Sequence, residues 1–129
     1  MKGRTSDERY TPPEVLEPLR KLFGKMHDPC PSHYTVDGLK EVWASSKCFV
    51  NPPYSSVELW AHKAISEALE GAFVAFLLPN DCSTRAFRVL RAASWGRWEI
   101  PFRVKFGTPD GRKVDVARSH VVFFLGGLR

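Results

Sequence analysis

Asn51-Pro52-Pro53-Tyr54 is the stretch where residue type and spacing could do chemistry. Neither proline has an N–H to give to a sheet ladder, so a strand arriving there must stop. The turn then presents the Asn51 amide oxygen, backbone carbonyls without competing neighbours, and the flat ring of Tyr54. An amide oxygen beside a carbonyl can accept both hydrogens of a planar amine, and the ring can stack on a flat ligand. Asn is no general base at neutral pH, so such a site would polarise an amine without deprotonating it. The plain alternative is an Asn-Pro turn closing a strand, with Tyr54 as ordinary core.

The neighbouring segments must deliver that turn. Cys48-Phe49-Val50 is a run of strand formers leading into it, and in open α/β sheets ligands bind at such strand ends. Ser55-Ser56 can cap a helix whose apolar face is Val57, Trp60, Ala61, Ala64, Ile65 and Ala68, ending at Gly71. Ala72 to Leu78 is continuously apolar, which predicts a strand buried on both faces, the signature of a parallel sheet. Upstream, Thr11-Pro12-Pro13-Glu14 starts a helix with Val15, Leu16, Leu19, Leu22 and Phe23 inward and Gly24 as the stop. Pro18 predicts a short first turn or a kink.

Lys25 to His27 reads as a short strand cut off at Asp28-Pro29-Cys30-Pro31, and Asp37-Gly38 as a turn before a helical piece at Leu39 to Trp43. Arg85 to Ala93 reads as a helix with Phe87 and Leu90 inward. Trp98 to Phe106 alternates, with Ile100, Phe102, Val104 and Phe106 on one side, although Pro101 suggests an edge or a bulge. Pro109-Asp110-Gly111 is a turn signal, and Val121 to Leu125 a last buried strand. This order predicts an α/β domain with a mainly parallel sheet and one antiparallel late strand. Residues 1–9 read as a mobile arm and 10–129 as a single domain.

At 129 residues, 43% hydrophobic and 26% charged, the chain has globular proportions. No apolar run approaches the roughly 18 residues of a membrane span, and the first residues lack a signal peptide's apolar core. The expectation is a cytoplasmic protein. Cys30, Cys48 and Cys82 are odd in number and widely spaced, against a disulfide framework. His27, Cys30 and His33 have ligand-type side chains, but zinc takes about four ligands and no second cluster stands nearby, so no metal is expected.

Net charge is +5, and the excess is uneven. From Arg85 to Arg118 the bases are Arg85, Arg88, Arg91, Arg97, Arg103, Lys105, Arg112, Lys113 and Arg118, interleaved with Trp95, Trp98, Phe102 and Phe106. Only Glu99, Asp110 and Asp115 oppose them. Such a surface suits a polyanion, most simply nucleic acid; the alternative is a solvated basic face.

Tyr10-Thr11-Pro12, Phe23-Gly24, Asp28-Pro29-Cys30, Asp37-Gly38-Leu39 with Trp43, Asn51-Pro52-Pro53-Tyr54-Ser55, and Leu78-Pro79 before Ser83-Thr84-Arg85-Ala86-Phe87 follow one another in that order. In this combination the chain, from Tyr10 to Leu125, resembles the phage-type DNA N-6-adenine methyltransferase family. The resemblance implies a compact, trimmed Rossmann-like class I methyltransferase that uses S-adenosylmethionine to methylate adenine in DNA. It implies catalytic roles for Asn51, Pro52, Pro53 and Tyr54. Tyr10, Thr11, Pro12, Asp28, Pro29, Cys30, Asp37 and Leu39 would lie along the methyl donor. Ser55, Arg85, Arg97, Arg103, Lys105, Arg112 and Lys113 would face DNA, and a second copy of the chain would help grip a duplex.

The sequence departs from larger methyltransferases after Asp28, where Pro31 and Ser32 replace their glycine-rich loop. Several residues keep a structural alternative: Tyr10 and Thr11 as cap and core, Asp28 as a helix cap, Asp37 as a turn residue, Ser83 to Arg85 as a cap. Methylation of a protein glutamine or an RNA base uses the same acceptor pair. A non-enzymatic nucleic-acid-binding module is the reading from another class.

Overall fold

The structure, a computed structural model, describes residues 10–30, 37–108, 110–115 and 118–127. In chain order these form helix α1 (Pro13–Phe23), strand β1 (Lys47–Val50), a 3-10 turn (Tyr54–Ser56) and α2 (Val57–Leu69). Then come β2 (Phe73–Pro79), α3 (Arg85–Ala93), β3 (Gly96–Glu99), β4 (Lys105–Gly107), β5 (Lys113–Asp115) and β6 (His120–Gly126). The arm at 1–9, Pro31, Ser32, His33 and Pro109 lie outside the described residues.

β2 and β6 are apolar at nearly every position because both their faces are covered. Successive strand residues point to opposite sides. Val74, Phe76 and Leu78 therefore join Val121, Phe123 and Leu125 in one core, under Trp60, Ala61 and Ala64 of α2 and Phe87 and Leu90 of α3. Ala75 and Leu77 join Val122 and Phe124 in another, under Val15 and Leu19 of α1 with Ile100, Val104 and Phe106. Each fully buried Leu or Phe contributes roughly 1.5–3 kcal/mol of transfer free energy.

A mainly parallel, Rossmann-like sheet is not what these strands form. The strand order is β1-β2-β6-β3, and β4 and β5 make a separate two-stranded sheet. Among the described strands only β1 and β2 pair in parallel, from Lys47↔Phe73 to Val50↔Phe76. β6 inserts between β2 and β3 and runs against both, so those two ladders are antiparallel. Burial on both faces follows from the helices above and below, and it does not report strand direction.

Local expectations shift in the same way. Lys25 to His27 contributes one parallel bridge, His27↔Cys48. The expected helical piece after Asp37-Gly38 is a turn, closed by Lys40 N–H on the Asp37 carbonyl at 2.9 Å. The strand expected over Trp98 to Phe106 breaks at Pro101 into β3 and β4, which lie in different sheets. Phe102 at that break is 40% exposed, and Leu22 on α1 is 74% exposed, so neither packs inward. Gly24 ends α1 at φ 84°, where a side chain would be strained.

The 43–44 turn is held to α2 by Glu67. Its carboxylate accepts from Trp43 N–H at 2.7 Å, Ala44 N–H at 3.1 Å and Lys63 Nζ at 2.9 Å. Burial pushes this carboxyl up, but the Lys63 and Trp43 hydrogen bonds outweigh it and hold the group below its ordinary value. Glu67→Ala is expected to lower the unfolding free energy by about 2 kcal/mol in urea titrations. Because the folded-state value is depressed, this stabilisation is present above the unfolded value of 4.5 and is lost as pH falls through the folded one. The gap between the two proteins should therefore narrow in acid.

Candidate active site

Strand alternation decides where Asn51 points. Phe49 lies on the α1 side of β1, Cys48 and Val50 on the other. Asn51, two residues past Phe49, follows it to the α1 side. There its Nδ2 donates to Thr11 Oγ1 at 2.9 Å, which turns Oδ1, the acceptor of the amide, away from Thr11.

Thr11 was a candidate helix cap, but the capping position of α1 is Pro12, without a side-chain cap bond. The Pro12 carbonyl accepts from Val15 and Leu16 N–H at 3.0 and 3.3 Å, leaving the Thr11 hydroxyl to the asparagine. Tyr10 is pinned by a two-way backbone bridge to Gly107 of β4, at 2.9 and 3.0 Å. A Cβ on Gly107 would come within 3.2 Å of the Tyr10 ring, so the close approach suits glycine.

The other wall comes from the His27 bridge. His27 N–H donates to the Lys47 carbonyl at 2.7 Å and Phe49 N–H to the His27 carbonyl at 2.9 Å. Asp28 is thereby delivered to the end of β1, where its Oδ1 accepts from Cys30 N–H at 2.9 Å. Between the two walls is a cleft of about 180 Å³. Tyr10, Thr11, Asp28, Cys30 and Asn51 line it together with Leu16, Arg20, Met26 and Phe49. Five residues singled out from sequence thus meet around one space.

The last four were not singled out. Phe49 was legible, standing two residues before Asn51 on the same strand face. Leu16 and Arg20 sit four apart on one side of α1, but nothing in the sequence says which side of the helix meets the cleft.

Other candidates fall elsewhere. Asp37 is exposed and accepts from Leu39 N–H at 3.1 Å, a turn role, while Leu39 packs against the α2 core. Pro29 serves that segment: a Cβ on Gly38 would sit 1.8 Å from the Pro29 carbonyl oxygen, and the Trp43 indole donates to the Gly38 carbonyl at 3.0 Å. Cys48 is core, its thiol pushed up to about 12 by burial and then by the charges of Glu41, Glu67 and Asp28, so it is no nucleophile.

Pro52 and Pro53 are buried, and the chain reverses at the Tyr54–Ser56 turn, where Ser56 N–H meets the Pro53 carbonyl at 3.1 Å. Ser56, expected to cap α2, makes no side-chain cap bond. Tyr54 lines a second cleft of about 180 Å³ with Leu78, Pro79, Thr84, Ala86 and Arg118. Its floor loop is built on Asp81, which accepts from the Ser83 hydroxyl at 2.6 Å and Ser83 N–H at 3.0 Å. Those two bonds hold the Asp81 carboxyl below its ordinary value. Thr84 caps α3, accepting from Phe87 N–H at 3.3 Å.

The basic candidates are on the surface. Arg85 pairs with Glu58 at 3.5 Å, Arg97 with Glu99 at 3.1 Å, Arg103 with Asp115 at 3.2 Å and Arg112 with Asp110 at 2.8 Å. Lys105 and Lys113 project from the β4–β5 hairpin, next to the Tyr10 bridge, and Ser55 is exposed beside Tyr54.

Residues 2–124 match the family model described as DNA N-6-adenine-methyltransferase (Dam). No curated protein matches the chain.

The Asn51–Thr11 bond spans 40 residues of sequence. Thr11→Val, nearly isosteric, is expected to cost about 1 kcal/mol of unfolding free energy in urea titrations, the net value of one such bond. No loss would mean that the amide is oriented by other contacts.

Proposed function

We propose that this chain, which belongs to the DNA N-6-adenine-methyltransferase family, transfers a methyl group from S-adenosylmethionine to the N6 amine of adenine in DNA. The observation that carries the reading is the oriented Asn51 amide in the lining of a cleft that also holds one acid, Asp28, and one base, Arg20.

The cleft fits such a donor by its chemistry. Opposite charges on Asp28 and Arg20 match the ammonium and carboxylate of a zwitterionic amino-acid end. Leu16, Met26, Phe49 and the Tyr10 ring offer apolar and aromatic surface to the remainder. When bound, the sulfonium donor supplies an electrophilic methyl carbon, whose bond to sulfur breaks as the bond to nitrogen forms.

The protein's part is to make a poor nucleophile competent. The exocyclic nitrogen of adenine delocalises its lone pair into the ring. Asn51 Oδ1 accepts one N–H and the Pro52 carbonyl the other, which favours a pyramidal nitrogen with its lone pair localised. Neither group takes the proton at neutral pH, so it leaves to solvent after the new N–C bond has formed. Tyr54, on the turn that follows, stacks on the base withdrawn from the duplex and offsets part of the few kcal/mol of unstacking.

The surface arginines hold the duplex. Exposed ion pairs are worth about 0–1 kcal/mol, so Arg85, Arg97, Arg103 and Arg112 can exchange their carboxylates for phosphates at little cost. Lys105 and Lys113 would add contacts on the hairpin to which Tyr10 is bridged.

The test is transfer of labelled methyl groups to unmethylated and N6-methylated duplex DNA, followed by nucleoside analysis. Label in N6-methyladenine from the unmethylated duplex alone is expected; label in cytosine, or in protein only, would overturn the reading. Asn51→Ala should abolish transfer while calorimetry still shows donor binding, weakened by no more than about fivefold, the worth of the lost bond to Thr11. Arg20→Met should weaken donor binding by about fivefold, the equivalent of about 1 kcal/mol for a half-exposed ion pair.

A further inference from the structure

Tyr54 meets a buried histidine from the last strand. Its hydroxyl lies 3.1 Å from Nε2 of His120. Tyr54 is 38% exposed and His120 1%. His120 opens β6, paired across the sheet with Pro79 of β2, and its ring meets Phe106 of β4 edge-on at 5.0 Å. One end of the tyrosine is therefore fixed in the core while its ring forms a wall of the second cleft.

The surroundings of His120 set its charge state, and its tautomer sets the sense of the bond. Burial, the largest influence, pulls His120 below the ordinary histidine value, and the nearby Arg118 charge acts the same way. The Arg118 backbone pulls in the opposite direction without reversing the shift. The ring is thus neutral near pH 7, with one donor and one acceptor nitrogen. Nδ1 has no well-formed hydrogen bond among the described residues, but the Arg118 backbone favours a proton on the ring. A proton on Nδ1 makes Nε2 the acceptor and the Tyr54 hydroxyl the donor. The groups around the imidazole are Tyr54 from the 3-10 turn, Arg118 before β6 with its partner Asp81 at 3.6 Å, and uncharged Pro79 and Phe106.

We propose that His120 is a positioning residue for base methylation: its Nε2 holds the Tyr54 hydroxyl and sets the ring in the orientation that receives the extruded adenine. The inference rests on the reading of Asn51 and Tyr54 given above. Stacking a base on a side chain that must first be ordered costs binding free energy, and a ring held in place beforehand reduces that cost. Anchoring through the hydroxyl fixes the ring beforehand by its edge. Protonation of His120 makes both ring nitrogens donors, so that the Tyr54 oxygen must accept, and places a charge beside Arg118.

The experiment compares the unsubstituted chain with His120→Leu, His120→Gln, Tyr54→Phe and the double variant His120→Leu/Tyr54→Phe. Methyl transfer, donor affinity and cooperative unfolding are measured for each. His120→Leu should lower kcat/KM for DNA by about fivefold with donor affinity unchanged, the worth of one net hydrogen bond. His120→Gln, whose amide oxygen can accept from the hydroxyl, should restore most of it. With Tyr54→Phe already present, His120→Leu should have no further effect. Independently of activity, the Tyr54 resonance of fluorotyrosine-labelled protein should shift as pH falls below about 6.5, and stay flat in His120→Gln.

A Tyr54 resonance unaffected by His120→Gln, or transfer undiminished by His120→Leu, would overturn the inference alone. Equal losses with and without Tyr54→Phe would also overturn it, by showing a purely structural role. Absence of transfer by the unsubstituted chain would overturn the reading of the cleft and this inference with it.

Discussion

The hydrogen bond from Asn51 to Thr11 is the constraint on which the site's architecture depends. It joins the end of β1 to the segment before α1 and closes the space between them. Its geometry follows from strand alternation, because a shift of one residue would send the amide to the α2–α3 side. The double proline supplies the complement, ending the ladder so that Asn51 stands clear of it and Tyr54 departs in another direction. One short stretch therefore feeds two clefts, one beside Asn51 and one beside Tyr54.

Positioning of this kind needs a rigid base, and the two-sided sheet provides it. β2 and β6 share a ladder from Phe73↔Gly126 to Pro79↔His120. That register carries His120 to the same sheet end as Pro79 and β1's terminus. Cores on both faces make each of these strands costly to displace, since a packed interior transmits a shift to all its neighbours. The antiparallel insertion of β6 is what brings a residue from the far end of the chain beside the central tetrapeptide.

The charge distribution works at another level. The basic residues are exposed and mostly matched with nearby carboxylates, so they stabilise the fold weakly. Their weak mutual pairing is compatible with a surface that exchanges partners. The acids near the clefts, by contrast, have defined local bonds: Asp28 on Cys30 N–H and Asp81 on Ser83.

The sequence by itself carried the tetrapeptide, the helix starts and stops, and the apolar β2 and β6, because these are written in local residue types and short periods. It also grouped Tyr10, Thr11, Asp28 and Cys30, through the resemblance of ordered motifs, and the fold places these four around one cleft. Local signals were misleading where two meanings share one pattern. A continuous apolar run specifies burial on both faces but not the direction of the neighbouring strand, so the mainly parallel sheet was the wrong inference. Asp37 carries an Asx-turn pattern that no local rule separates from ligand binding. That Arg20 and Met26 line the cleft and that His120 meets the Tyr54 hydroxyl was decided only by tertiary structure. Their partners lie on other elements, and which helix face meets a cleft, or which strand inserts beside β2, is fixed by packing across the chain.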